Sequence, residues 1–195
     1  IEDQILDGVK AHQRISIKEA RAMVRTQLEM VGLPAKTAKM YPHELSGGMK
    51  QRAIIAIATA LKPKLLIADE PTTALDVVVQ RVVLEFLQET HRKWNNSMIM
   101  ITHDIAVQAE ITDRLIVMYA GKIMEISDIK HIFEEPLHPY TKSLIDATPS
   151  LDVKKPFMSI PGLPPSLINP PLGCRFRERC PRASEKCERM EPSLQ

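Results

Sequence analysis

Leu65-Leu66-Ile67-Ala68-Asp69-Glu70-Pro71-Thr72-Thr73-Ala74-Leu75-Asp76 is the stretch on which the reading of this sequence turns. Its first four residues are aliphatic, a run with the length and composition of a buried parallel strand, and two adjacent carboxylates stand at its end. A strand stopped by solvated acids is the plain reading of that pattern alone. Residues 76–94, however, follow a helical period with Asp76 as N-cap and Val79, Val82, Val83, Phe86 and Leu87 facing inward. Residues 97–101 form a second apolar run, which ends in Thr102-His103-Asp104, and residues 102–111 turn back as a helix. Strand and helix in alternation predict an α/β body with a mostly parallel sheet. Ligands of such sheets sit at the carboxyl ends of the strands, here Asp69-Glu70 and Thr102-His103-Asp104.

Outward from this segment the pattern stays regular. Residues 17–31 place Ala20, Met23, Val24, Gln27, Leu28 and Val31 on one helical face, with Gly32 as the stop and Pro34 beyond it. Leu45-Ser46-Gly47-Gly48-Met49-Lys50-Gln51-Arg52 opens another helix, which runs to Leu61 and ends at Pro63. Two glycines at a helix start let backbone N–H groups approach an anion at the positive end of the helix dipole. Downstream, residues 114–119 and 122–126 flank Ala120-Gly121 and predict a hairpin.

Composition narrows the function classes. The chain has 195 residues, 26 basic and 24 acidic side chains and a formal net charge of +2. That balance excludes a dedicated nucleic-acid binder, and aromatic residues at 4% leave little for stacking on single strands. The longest apolar stretch, residues 53–61, is far short of the ~20 residues of a membrane span. No signal-peptide pattern opens the sequence, and both termini read as cut from a longer protein. Cys174, Cys180 and Cys187 all lie near the C-terminus, where more than half of the fifteen prolines also gather. A composition break near residues 148–156 therefore separates a folded body from a Pro-rich, Cys-bearing tail. Three closely spaced cysteines without a secretion signal fit a metal site in a reducing compartment better than a disulfide frame.

The Ser-Gly-Gly helix start, the acidic strand end and the histidine strand end, in this order and spacing, resemble the ATP-binding subunit of an ABC transporter. Residues 45–51 match the signature loop, residues 65–70 the Walker B strand, Ala74-Leu75-Asp76 the D-loop and His103 the switch histidine. Tyr41-Pro42-His43-Glu44, His138-Pro139-Tyr140-Thr141, Gly162-Leu163-Pro164-Pro165 and the cysteine tail resemble the dipeptide/oligopeptide importers within that family. No G-x-x-x-x-G-K-[ST] phosphate cradle occurs in the sequence, so the resemblance is to the C-terminal part of such a subunit, and this chain alone is expected to be inactive.

The resemblance implies a partial P-loop NTPase-like ABC ATPase domain of α/β class. Residues 1–62 would be the helical signature subdomain, 63–150 the remainder of the core, and 151–195 a Pro/Cys-rich extension. It implies ATP and Mg²⁺ as cofactors, Asp69 holding Mg²⁺ through water, Glu70 as general base and His103 at the γ-phosphate. Ser46, Gly47, Gly48 and Gln51 would meet the nucleotide of an opposite subunit, and Asp76 would link the two sites. The implied function is ATP hydrolysis driving dipeptide or oligopeptide import at the cytoplasmic face of the membrane. Its partners would be a second ATPase subunit, two permease subunits and an extracellular binding protein, with no nucleic acid. Two alternatives stand beside this: an importer of nickel or another solute, and a non-catalytic fragment that binds metal and makes dimer contacts. For Cys174, Cys180 and Cys187 three states compete: a [4Fe-4S] cluster completed by a fourth ligand outside the chain, zinc, or metal-free thiols. Strands 65–68 and 98–101, deprived of leading neighbours, predict an aggregation-prone chain.

Overall fold

The computed structural model describes residues 1–73, 75–148 and 160–194. Ala74 of the expected D-loop and most of the composition break lie outside the described residues. The chain divides into two compact units, Ile1–His103 and Asp104–Gln195.

The first unit begins with three helices, α1 (Glu2–His12), α2 (Ile17–Met30) and α3 (Gly47–Thr59). Ser16 starts α2 with a capping box, in which its hydroxyl accepts from the Glu19 N–H while the Glu19 carboxylate takes the Ser16 N–H at 2.9 Å. Ala20, Val24, Gln27 and Leu28 of the expected face are buried, together with Val31 just beyond the helix. Arg52 of α3 donates to the Gly32 carbonyl at 3.0 Å and so holds the end of α2 against α3. Helix α1 carries no sequence expectation; Ile5, Leu6 and Val9 seal it into the same core.

Strands β1 (Leu65–Asp69) and β2 (Ser97–Ile101) pair in parallel, Leu65 with Ser97 through Asp69 with Ile101. Helix α4 (Val77–Trp94) joins them, its first turn capped by the Asp76 carboxylate on the Val79 N–H at 2.9 Å. Val83, Leu84, Phe86 and Leu87 are buried, but Val82 is 41% exposed and not part of the inward face. The actual stripe is centred on Val83 and Phe86–Leu87, and Val82 lies at its margin.

A second correction concerns the strands themselves. Only Leu66 and Ala68 of β1 are buried, while Leu65, Ile67, Ile99 and Ile101 stand open on the other face of the pair. Side chains alternate faces along a strand, so an all-apolar strand with one covered face necessarily leaves half its aliphatics exposed.

In the second unit, α5 (Ile105–Ile111) is capped by Asp104, and strands β3 (Arg114–Tyr119) and β4 (Lys122–Asp128) form an antiparallel hairpin with a bulge at Val117/Met118. Ala120 and Gly121 both take positive φ, 49° and 77°, as a two-residue hairpin turn requires. Helices α6 (Ile129–Glu134) and α7 (Pro139–Asp146) cover the hairpin around Leu115, Val117 and Ile132. The extension adds a 3-10 turn at Arg177–Arg179 and a one-turn helix, α8 (Glu185–Arg189). No helix among the described residues is long and apolar enough to cross a membrane.

Candidate functional site

The carboxyl ends of β1 and β2 lie side by side because the strands are parallel and in register, which brings residues 33 positions apart into contact. The Glu70 N–H continues the ladder onto the Ile101 carbonyl at 2.9 Å. Glu70 then leaves the strand in the left-handed region, at φ 46°, a conformation an L-residue holds only where its surroundings fix it. Residues 70–73 close a turn in which the Thr73 N–H donates to the Glu70 carbonyl at 3.2 Å.

Both carboxylate oxygens of Glu70 are engaged. The Thr73 hydroxyl donates to Oε2 at 2.6 Å, and Nδ1 of His103 lies 2.9 Å from Oε1. A carboxylate only accepts, so this contact assigns the His103 proton to Nδ1. The two hydrogen bonds, that from Thr73 foremost, hold the Glu70 carboxyl below its ordinary pKa. Glu70 is an ionised carboxylate at neutral pH, with the imidazole ring beside it largely exposed. Asp69, the last residue of β1, is exposed at the same strand end.

Ser46 caps α3, its hydroxyl accepting from the Met49 N–H. Gly47 has open space where a Cβ would be, whereas a Cβ on Gly48 would come within 2.9 Å of Val79 Cγ1. Glycine at 48 thus permits α3 to start against the first turn of α4. The Gln51 side-chain amide donates to the Pro71 carbonyl at 2.7 Å and ties α3 to the turn behind Glu70. Of the candidate residues, Asp69, Glu70 and His103 gather at one strand end. Ser46, Gly47, Gly48 and Gln51 share the start of α3, and Asp76 caps α4, whose Val79 packs beside Gly48. Sequence reasoning missed the anchoring of Pro71 by Gln51 and the grip of Thr73 on Glu70. Only the i to i+3 spacing of Glu70 and Thr73 around a proline signalled the second.

At the strand end Asp69 offers the hard carboxylate oxygens that suit Mg²⁺, and separately the open space at Gly47 lets an anion reach the start of α3.

Cys174, Cys180 and Cys187 share a small core with Tyr119 and Phe176, and no group of three or more His, Cys, Asp or Glu side chains among the described residues is placed to hold an ion, so the expected [4Fe-4S] cluster finds no support in this geometry. Burial pushes the Cys174 thiol up, and Ser184 draws the half-buried Cys187 thiol down. Phe176 is fully buried against Tyr119, Tyr140 and His138, with ring centroids at 5.2, 5.3 and 5.7 Å. Arg179 bonds the Tyr119 hydroxyl and the carbonyls of Ile160 and Pro161, and Arg175 bonds the Ala120 carbonyl.

The family model described as "ABC transporter" matches residues 2–73, and "Oligopeptide/dipeptide transporter, C-terminal region" matches residues 124–187. Dipeptide transport ATP-binding protein DppD of Bacillus subtilis is 47% identical over 193 residues, 97% of this chain and 58% of its own length. Oligopeptide transport ATP-binding protein OppD of Escherichia coli is 46% identical over 193 residues, 97% of this chain and 57% of its own. The chain therefore spans less than two thirds of the length of these relatives. Among solved structures, the dimeric structure of MJ0796, a bacterial ABC transporter cassette, aligns with a TM-score of 0.59 and 29% identity over 64% of this chain and 54% of that one. A second structure of the same cassette, in a post-hydrolysis state bound to ADP and Pi, aligns with a TM-score of 0.57 and 28% identity over 64% of this chain and 56% of that one. With an ABC match that ends at the Glu70 turn and an oligopeptide-transporter match that runs from β4 through the cysteines, the chain is similar to the ATP-binding subunits of dipeptide/oligopeptide ABC transporters.

Proposed function

We propose that this chain serves within an ATP-binding and ATP-hydrolysing subunit that energises import of dipeptides or oligopeptides. The observation that carries the proposal is the Glu70–His103 contact at the paired ends of β1 and β2, 2.9 Å long, beside an exposed Asp69. ATP, when bound, supplies the phosphoanhydride bond whose cleavage resets the protein. Asp69 would hold Mg²⁺, which would neutralise charge on the phosphates, Glu70 would take the proton of the attacking water, and His103 would orient that water and meet the γ-phosphate. Ser46, Gly47 and Gly48 present a helix start to the nucleotide of an opposite subunit, and Asp76 links the two sites across the pair. Gln51, which bonds Pro71 of its own chain, supports the catalytic turn from the signature helix.

Two such subunits close on nucleotide and open after hydrolysis, and two permease subunits turn that motion into passage of a peptide delivered by an extracellular binding protein. The subunit works peripherally on the cytoplasmic face of the membrane. Residues 1–62 act as the signature subdomain, 63–150 as the rest of the ATPase core, and 151–195 as the extension. Iron and zinc analysis of anaerobically purified chain tests the [4Fe-4S] reading of Cys174, Cys180 and Cys187: about four irons per chain would support it, and a colourless, metal-free protein would set it aside.

The direct test of the catalytic reading is Glu70→Gln in the assembled transporter. ATP turnover should fall by about 100-fold or more, with a nucleotide-bound dimer accumulating on size exclusion. Turnover at the parent rate would remove Glu70 from the role of base.

A further inference from the structure

We infer that Thr73 is the positioning residue of Glu70, its hydroxyl fixing one carboxylate oxygen so that the other faces His103. The inference rests on the reading of Glu70 as general base. Its ground is the way the turn grips Glu70 at both ends. The Glu70 N–H is held by Ile101 at 2.9 Å, and its carbonyl by the Thr73 N–H at 3.2 Å. With the backbone fixed at φ 46°, the direction of the Cα–Cβ bond is fixed too. The side chain still turns about three bonds, and the 2.6 Å hydrogen bond from the Thr73 hydroxyl to Oε2 restricts them together. Oε1 is then left at 2.9 Å from His103 Nδ1. A general base works only when its lone pair points at the proton it will take, and a misplacement of about 1 Å costs about 100-fold in rate.

The turn itself is anchored from outside. The Gln51 amide holds the Pro71 carbonyl at 2.7 Å, so the platform on which Thr73 acts is fixed to helix α3. Thr73 acts through the Glu70 carboxylate, and Gln51 supports the turn through Pro71.

Two variants of Thr73 separate the hydroxyl from the bulk of the side chain. In the assembled transporter, Thr73→Val should lower kcat by about 10- to 100-fold while KM for ATP stays within about two-fold, and Thr73→Ser should recover most of the loss. In the full chain without nucleotide, the ¹⁵N signature of the His103 ring at fixed pH should show the Nδ1–H tautomer. It should move toward the ordinary tautomer mixture in Thr73→Val and return in Thr73→Ser. An unchanged His103 signature together with an unchanged kcat in Thr73→Val overturns the inference. So does a loss that Thr73→Ser fails to restore, since that assigns the effect to the methyl group. Failure of the base reading looks different: Glu70→Gln would hydrolyse ATP normally while the His103 signature still responded to Thr73.

Discussion

The Glu70 turn and the cysteine extension are both dense in candidate residues, and each brings its own together by different means. Asp69, Glu70 and His103 lie at the ends of two paired strands, so the register of a five-residue ladder decides their geometry. Cys174 and Cys180 lie on irregular chain and Cys187 on the one-turn α8, where no ladder sets distances, and the packing of Phe176 and the arginines decides instead. Residues delivered by regular structure are positioned by the backbone. Residues delivered by loops are positioned by whatever core the loops find.

The largest effect that can break this contrast is at Phe176. Truncating a fully buried aromatic that contacts three rings should cost about 3–5 kcal/mol, confined to the second unit. Hydrogen exchange in Phe176→Ala should show lost protection at 174–190 with α1–α3 unchanged. Protection retained at 174–190 would mean that something other than the aromatic core holds the extension. Arg179→Ala comes next, at about 1–2 kcal/mol in the same readout, because its three hydrogen bonds are only partly buried.

A pH series sharpens the same point. The ring of His138 packs on Phe176, and its Nδ1 accepts from the Tyr140 N–H at 3.0 Å, which requires the neutral imidazole. Burial lowers its pKa below 6.5, although the Glu125 carboxylate on β4 pulls it upward. Being depressed, it contributes stability that is complete above pH 6.5 and is lost as the pH falls through its folded value. Glu125 itself is pushed up by burial, but the N–H groups of Leu137 and His138, at 2.9 and 3.0 Å, help to hold it below its ordinary value. Its contribution is lost only at more acid pH. Exchange protection of the extension should therefore weaken from about pH 6.5 downward, while the Glu70 turn, held by an ionised carboxylate, should not respond there. A flat profile in His138→Gln would tie the effect to this ring.

Much of the first unit was legible in the sequence because its signals are local. Ser16 with Glu19, Asp76 before a valine-rich helix and the alternation of apolar runs each mark an element within a few residues. The Glu70–His103 contact needed only the added step that two parallel strands end together. What stayed hidden depends on contacts between distant segments. Phe176 had no neighbouring aromatic to mark it, since Tyr119 and Tyr140 lie 57 and 36 residues upstream. The open face of β1 and β2 was hidden for a related reason, as an aliphatic run does not state which of its faces will be covered. Gln51 read as part of a nucleotide motif, and only folding brings Pro71 to its amide.

The smallest expected effect concerns the thiols. Cys180→Ser combined with Cys187→Ser removes two half-buried sulfurs from the edge of the small core, and Phe176 and the arginine hydrogen bonds stay in place. The change should cost under about 1 kcal/mol, and washing the parent chain with a strong chelator should leave protection at 174–190 as it was. Gly173 is the more sensitive position of the two kinds. A Cβ there would meet the Cys187 carbonyl oxygen at 2.3 Å, so Gly173→Ala should loosen the extension more than removing either sulfur. That order distinguishes a backbone packed closely around Phe176 from a backbone gathered around an ion. If chelation or the double serine variant released the extension while Gly173→Ala left it intact, the metal would be the organising element and the aromatic core only its lining.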